Sequence, residues 1–116
     1  EIEVLDVNGD SKLDLLVAGK DSKTIQVLRG NGNGTFSVAQ TVDASGAGLT
    51  LTAIDYGDVN GDGKTDIVAA GDGANGRVLV FAGNGNGTFA LASSFASAET
   101  KDVELFDVTG DSKLDL

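Results

Sequence analysis

Three stretches of this chain are near copies of one another: "DVNGDSKLDL" at Asp6 to Leu15, "DVNGDGKTDI" at Asp58 to Ile67 and "DVTGDSKLDL" at Asp107 to Leu116. They lie 52 and 49 residues apart. A second motif keeps the same frame, as "VLRGNGNGTFS" at Val27 to Ser37 and "VFAGNGNGTFA" at Val80 to Ala90. Two independent motifs on one period of about 50 residues restrict the chain to a repeat architecture, in which each unit buries its apolar face against the next.

Within a unit the apolar residues come in short runs rich in Val, Ile, Leu and Phe, bounded by Gly, Asn and Asp, which is a strand pattern. The second unit is expected to hold strands at Leu51 to Gly57, Thr65 to Ala70, Arg77 to Ala82 and Thr88 to Phe95. Asn84-Gly85-Asn86-Gly87 separates the last two, and Asn-Gly readily takes the positive φ angles of a tight hairpin turn. The first unit repeats this over roughly residues 1 to 42, and the third stops after its second strand. "LDLLVAG" at Leu13 to Gly19 and "TDIVAAG" at Thr65 to Gly71 are nearly continuous in apolar residues after their Asp, as in a strand covered on both faces. The expected fold is all-β. It consists of β-propeller blades of four antiparallel strands, about two and a half blades in this chain, with blade 1 at 1–49, blade 2 at 50–100 and a half blade at 101–116. A closed propeller needs about four to eight blades. The expected partners are therefore further propeller blades in cis or other copies of the chain, and an unpaired edge strand favours self-association.

The 116 residues suffice for one modest domain. Acidic residues outnumber basic ones 18 to 8, for a net charge of −10, which speaks against nucleic acid or anionic lipid and for cations. With no His and no Cys, the commonest general base and the thiol nucleophile are missing, and no enzymatic activity is expected. No apolar run approaches the ~20 residues of a membrane-spanning helix, so no membrane insertion is expected. Opening at Glu1 rather than Met, the sequence reads as a processed product or a piece of something longer. Proline is absent and glycine numbers 17, so glycine must make the turns.

The acids have a purpose, because nine of the 18 lie in the three repeated loops. In the first loop Asp6, Asn8, Asp10 and Asp14 fall at positions 1, 3, 5 and 9, and Lys12 at position 7 offers its backbone carbonyl. All are hard oxygen donors and suit calcium, whose coordination is flexible, better than magnesium, which keeps waters and strict octahedral geometry. The second set is Asp58, Asn60, Asp62, the Lys64 carbonyl and Asp66; the third is Asp107, Thr109, Asp111, the Lys113 carbonyl and Asp115. Each position-9 Asp interrupts an apolar strand, where an unpaired charge would be costly, and metal coordination is one way to remove that conflict. A solvated Asx-turn loop without an ion is the competing explanation. An EF-hand loop would require a bidentate acid at position 12 and flanking helices, but Val17 and Ala69 stand there. The "GKT" at Gly63 to Thr65 lacks the first glycine of a phosphate loop and is surrounded by carboxylates that repel phosphate.

"GDVNGDGKTDIVAAG" followed by "VLVFAGNGNGTF" resembles the FG-GAP/VCBS repeat, the propeller blade of integrin alpha subunits and of many secreted or surface bacterial proteins and fungal lectins. The resemblance covers essentially the whole chain. It implies a calcium ion in each inter-strand loop, held by the sets named above, with the third weakest because Thr109 replaces Asp or Asn. It also implies an extracellular, secreted or cell-surface setting and a role in adhesion, scaffolding or assembly, with structural calcium. The family's Phe-Gly element is not obvious in this chain. A lectin-like sugar binder and an accessory repeat of a larger secreted enzyme are the alternatives, and either a protein or a glycan is a conceivable ligand. With no Trp, one Tyr and five Phe, an aromatic sugar platform is poorly supplied. Two minor features remain open. Asn33 and Asn86 open Asn-Gly-Thr sequons that could carry glycan in a eukaryotic secreted protein, although a hairpin turn that precedes Thr is the favoured reading. Glu3, Asp55 and Glu104 align three residues before each loop and would ring a channel if the first strand of each unit is innermost, though an exposed face of that strand explains them equally well.

Overall fold

In the computed structural model, which describes residues 1–45, 50–72, 76–97 and 100–116, the chain forms β-strands and loops without a helix among those residues. Strands β1 (Ile2–Leu5), β2 (Asp14–Gly19), β3 (Thr24–Gly30) and β4 (Phe36–Asp43) make one antiparallel sheet in sequential order. Strands β5 (Thr50–Gly57), β6 (Asp66–Asp72), β7 (Arg77–Gly83) and β8 (Phe89–Ala96) make a second with the same order. The strands expected in the second unit are all present, with ends displaced by one or two residues. Each sheet carries a register shift at the same place in its outer hairpin, between Val27 and Leu28 in one and between Val80 and Phe81 in the other. A β-bulge of this kind bends the outer strand and raises its twist.

The core lies where the two sheets meet. Alternation along the strands sends Leu5, Leu16, Ile25, Val27 and Val42 of the first sheet into one buried cluster with Leu51, Ile54, Ile67, Ala69, Leu79, Phe81 and Phe89 of the second. Burying side chains of this size stabilises by about 1.5–3 kcal/mol each before entropy is charged against it, so the contact between units, rather than either sheet alone, supports the fold. Polar contacts fix its register. The Gln40 amide donates to the Phe89 carbonyl at 2.9 Å and accepts from the Phe89 N–H at 2.7 Å. The Glu1 carboxylate accepts from the Ile54 N–H at 2.6 Å.

Two expectations need correction. The second strands were both expected to be covered on both faces, but only β6 is; in β2, Leu15 and Val17 stay half-exposed. The reason is position, since β6 has the first sheet on one side and Leu105 and Leu114 beside Val68 on the other, whereas the outer face of the first sheet leaves Ile2, Val4 and Val38 exposed. The third unit was expected to hold two strands, but it forms one antiparallel bridge, with Phe106 and Asp115 exchanging N–H···O bonds of 3.1 and 2.9 Å. A two-stranded pairing with no third strand beside it is marginal, and it has shrunk to the residues that close the acidic loop. The described residues form two stacked sheets and this partial unit, and they do not close a ring.

Candidate metal centre

Each acidic loop connects the first two strands of its unit, and its fold follows from its own side chains. Asp6 acts as the hub. Its Oδ1 accepts from the N–H groups of Asn8, Gly9 and Asp10 at 3.2, 2.7 and 3.2 Å, and its Oδ2 from Ser11 at 2.7 Å. Asn8 Oδ1 accepts from Asp10 N at 2.9 Å and Asp10 Oδ1 from Lys12 N at 2.9 Å, so the loop is a chain of Asx turns. The second loop repeats this. Asp58 accepts from Gly61, Asp62 and Gly63 at 2.7, 3.1 and 2.8 Å, Asn60 from Asp62 at 2.9 Å and Asp62 from Lys64 at 2.9 Å. In the third, Asp107 accepts from Gly110, Asp111 and Ser112 at 2.6, 3.1 and 2.8 Å and Asp111 from Lys113 at 3.0 Å. Thr109 does not reproduce the position-3 turn, and its N–H goes to Asp115 instead.

These amides shift the hub acids. Desolvation in the loop pushes the Asp6 carboxyl up, but the N–H groups of Ser11, Asn8, Gly9 and Asp10 together outweigh it and hold the group below the ordinary aspartate value. At Asp58 the Gly63 N–H is the largest influence, and with Gly61, Asp62 and Asn60 it also overcomes desolvation. Both hubs are therefore held as anions.

The position-9 acids are placed differently. Asp14 and Asp66 are fully buried, and each uses both oxygens on backbone amides. Asp14 accepts from Val7 N at 3.0 Å and Gly30 N at 2.8 Å; Asp66 accepts from Val59 N at 3.1 Å and Gly83 N at 2.8 Å. The charge that interrupts the strand is thus satisfied by two N–H donors, and each acid latches the loop to the last residue of β3 or β7. Among the described residues no three acidic side chains come together as a metal-ligating group. Asp6 and Asp10, or Asp58 and Asp62, share their loop while the third carboxylate faces the sheet. The Lys side chain reaches the position-5 acid, with Lys12 Nζ 3.4 Å from Asp10, Lys64 Nζ 3.3 Å from Asp62 and Lys113 Nζ 3.9 Å from Asp111. The chemistry of the donors still suits a hard cation, because a carboxylate has about four lone-pair positions and Asp14 and Asp66 each spend two on amides.

Sequence reasoning missed Gly30 and Gly83. A Cβ on Gly30 would stand 2.1 Å from the Leu13 carbonyl oxygen, and one on Gly83 1.9 Å from that of Thr65. Only glycine lets the hairpin approach the loop closely enough to donate to the buried Asp. The signal was present, since both glycines open the repeated "GNGNGT", but it read as turn chemistry alone. The aligned acids Glu3, Asp55 and Glu104 do converge. With Glu1 and Asp102 they line one cavity of about 440 Å³ beside β1 and β5, and Asp55 Oδ2 accepts from Leu105 N there at 2.6 Å.

A family model described as FG-GAP-like repeat matches residues 6–69 and again 58–116. The chain belongs to the FG-GAP-like repeat family. The two matches overlap in the second acidic loop, the one copy flanked by a unit on each side. Neither a comparison with curated proteins nor one with solved structures gives a match. No helix of the described residues is long and apolar enough to cross a membrane.

Proposed function

We propose that this FG-GAP-like chain is a non-catalytic, calcium-binding repeat module of a larger β-propeller, working outside the cell in adhesion, scaffolding or assembly. The observation that carries this reading is the folding of the three loops around Asp6, Asp58 and Asp107, each gathering successive backbone N–H groups. Such loops fix the hub carboxylate and the backbone around it before any ion arrives, which lowers the ordering cost of binding. The ligands would be Asp6, Asn8, Asp10, the Lys12 carbonyl and Asp14, with Asp58, Asn60, Asp62, the Lys64 carbonyl and Asp66 in the second loop. The third would use Asp107, Thr109, Asp111, the Lys113 carbonyl and Asp115. Calcium supplies a divalent charge that offsets two of the three carboxylate charges and links folding to ion concentration.

The partner reading rests on the first sheet. Ile2 and Phe36 on its outer face are 61% and 43% exposed, while their repeat equivalents Ile54 and Phe89 are buried against the neighbouring sheet. A further repeat, from the same protein or another copy, would cover that face in the same manner. Calorimetric titration with calcium, read beside native mass spectra before and after chelation, tests both parts. Two or three ions per chain and a melting temperature that falls on chelation are expected. No calcium uptake at millimolar concentration, with unchanged stability, would remove the metal reading and leave the repeat module.

A further inference from the structure

The chain contains several Asn-Gly dipeptides, and the fold treats them unequally. In the acidic loops the glycine amide after the asparagine is engaged, Gly9 N by Asp6 Oδ1 and Gly61 N by Asp58 Oδ1, both at 2.7 Å. The hairpin turn after β3 is arranged the other way. Asn33 Oδ1 accepts from the Thr35 hydroxyl at 2.6 Å and from the Thr35 N–H at 3.1 Å. Thr35 Oγ1 in turn accepts from Asn31 Nδ2 at 2.8 Å, which strengthens it as a donor. Among the described residues no acceptor takes the Gly34 N–H. Gly34 is exposed at φ 85°, with open space where a side chain would be.

We propose that Asn33 is a self-modification site that cyclises with Gly34 and deamidates, water being the only co-reactant. The Gly34 amide loses its proton to solvent base and its nitrogen bonds to Asn33 Cγ, while the Cγ–Oδ1 π pair moves onto Oδ1 as an oxyanion. That oxyanion forms where the Thr35 hydroxyl and N–H already point, a pair of donors set for the developing charge. Collapse breaks the Cγ–Nδ2 bond, Nδ2 leaves with a solvent proton as ammonia, and a succinimide remains. Water opens the ring to aspartate or isoaspartate. The net change is amide plus water to carboxylic acid plus ammonia. The nucleophile and carbon are adjacent in the chain, so the attack is intramolecular, which removes most of the entropic cost of the encounter. Isoaspartate adds a backbone carbon inside the turn that Asn31 N and the Thr35 carbonyl close at 2.9 Å, so modification loosens the hairpin as well as adding a charge.

Asn86 has the same donors, with Thr88 Oγ1 at 2.6 Å and Thr88 N at 3.0 Å. Its turn is pinned between the sheets, however. Arg29 donates to the Asn86 carbonyl and Gly87 packs against Arg29 and Val7. Forming the ring requires the turn to move, so Asn86 reacts more slowly than Asn33.

The test is incubation of the whole folded chain at neutral pH, with peptide mapping of the mass increase and of isoaspartate. Asn33 is expected to react first, Asn86 next, and Asn8 and Asn60 last. Thr35→Val should slow Asn33 by about fivefold, the rate equivalent of one ordinary hydrogen bond, and Thr35→Ser should restore it. In concentrated urea these four of the chain's seven Asn-Gly sites should converge. Equal rates at Asn33 and Asn8 in the folded chain, an unchanged rate in Thr35→Val, or an order that persists in urea would each overturn the proposal.

Discussion

Asp66 and Asp115 close the same ten-residue motif, yet Asp66 is fully enclosed with an amide on each oxygen, whereas Asp115 is partly exposed and takes both its donors on Oδ2. The difference arises outside the motif. Gly83 delivers the second amide to Asp66 from the end of β7, and the third unit has no strand in that position. An FG-GAP-like acidic loop is therefore complete only when the hairpin of its own unit lies against it. The loop chemistry is local, but the latch is not.

The largest effect should come from removing that latch. Asp66→Ala leaves the N–H groups of Val59 and Gly83 without an acceptor inside the protein, at about 1–3 kcal/mol for each unsatisfied donor. Asp115→Ala, at the partly exposed site, should cost under about 1 kcal/mol, because water replaces the carboxylate. Urea unfolding of both variants checks this, and equal shifts in midpoint would break the comparison. Gly83→Ala comes next in size. Its new Cβ would meet the Thr65 carbonyl at 1.9 Å, so the hairpin must withdraw from the loop, at about 2 kcal/mol by analogy with overpacked cores. Amide exchange at Gly83 and Val59 should then speed up together, and protection unchanged at Val59 would show that the hairpin does not control the latch.

What the sequence made legible follows from the same split. The loop positions, the four strands per unit and the hairpin turns were readable because each depends on neighbours within a few residues: Asp6 on the amides of Asn8 to Ser11, and the Asn84 to Gly87 turn on glycines with φ near 78°. The partners of Asp14 and Asp66 were not readable, since Gly30 and Gly83 come 16 and 17 residues later and pattern reasoning assigned those glycines to turns. Two amides satisfy each buried acid in its apolar strand, so burial by itself does not call for a metal ion. The third unit was overestimated for a similar reason. Its motif is intact in sequence, but strand pairing depends on a neighbour that the motif does not encode.

Acid should sharpen the contrast between hub and latch. The folded-state values of Asp6 and Asp58 lie below the ordinary one, so their contribution is present in full above the unfolded-state value, about 3.9. It is lost as pH falls through the lower folded value. Asp58→Asn should flatten that acid limb while leaving the melting temperature near neutral pH less affected than Asp66→Ala does. A limb as steep as in the parent chain would mean that Asp58 is not a hub.

The smallest effect concerns the sixth loop position, where all three copies turn through the left-handed region: Ser11 at φ 64°, Gly63 at 79° and Ser112 at 66°. A left-handed residue with a Cβ carries about 1–2 kcal/mol of steric cost. Glycine avoids that but loses more chain entropy on folding, which offsets about half of it. Ser11→Gly should therefore stabilise the first loop by about 0.5 kcal/mol, and Gly63→Ser should cost the second by about as much, since no atom stands within 4 Å to clash with its new side chain. Because Ser11 N and Gly63 N bind the Oδ2 of their hubs equally well, at 2.7 and 2.8 Å, the two substitutions should be mirror images in thermal melts. Opposite signs of similar size would establish that the loops differ at this position only in backbone strain. Same-sign changes would place the difference in the contacts of the serine hydroxyl instead.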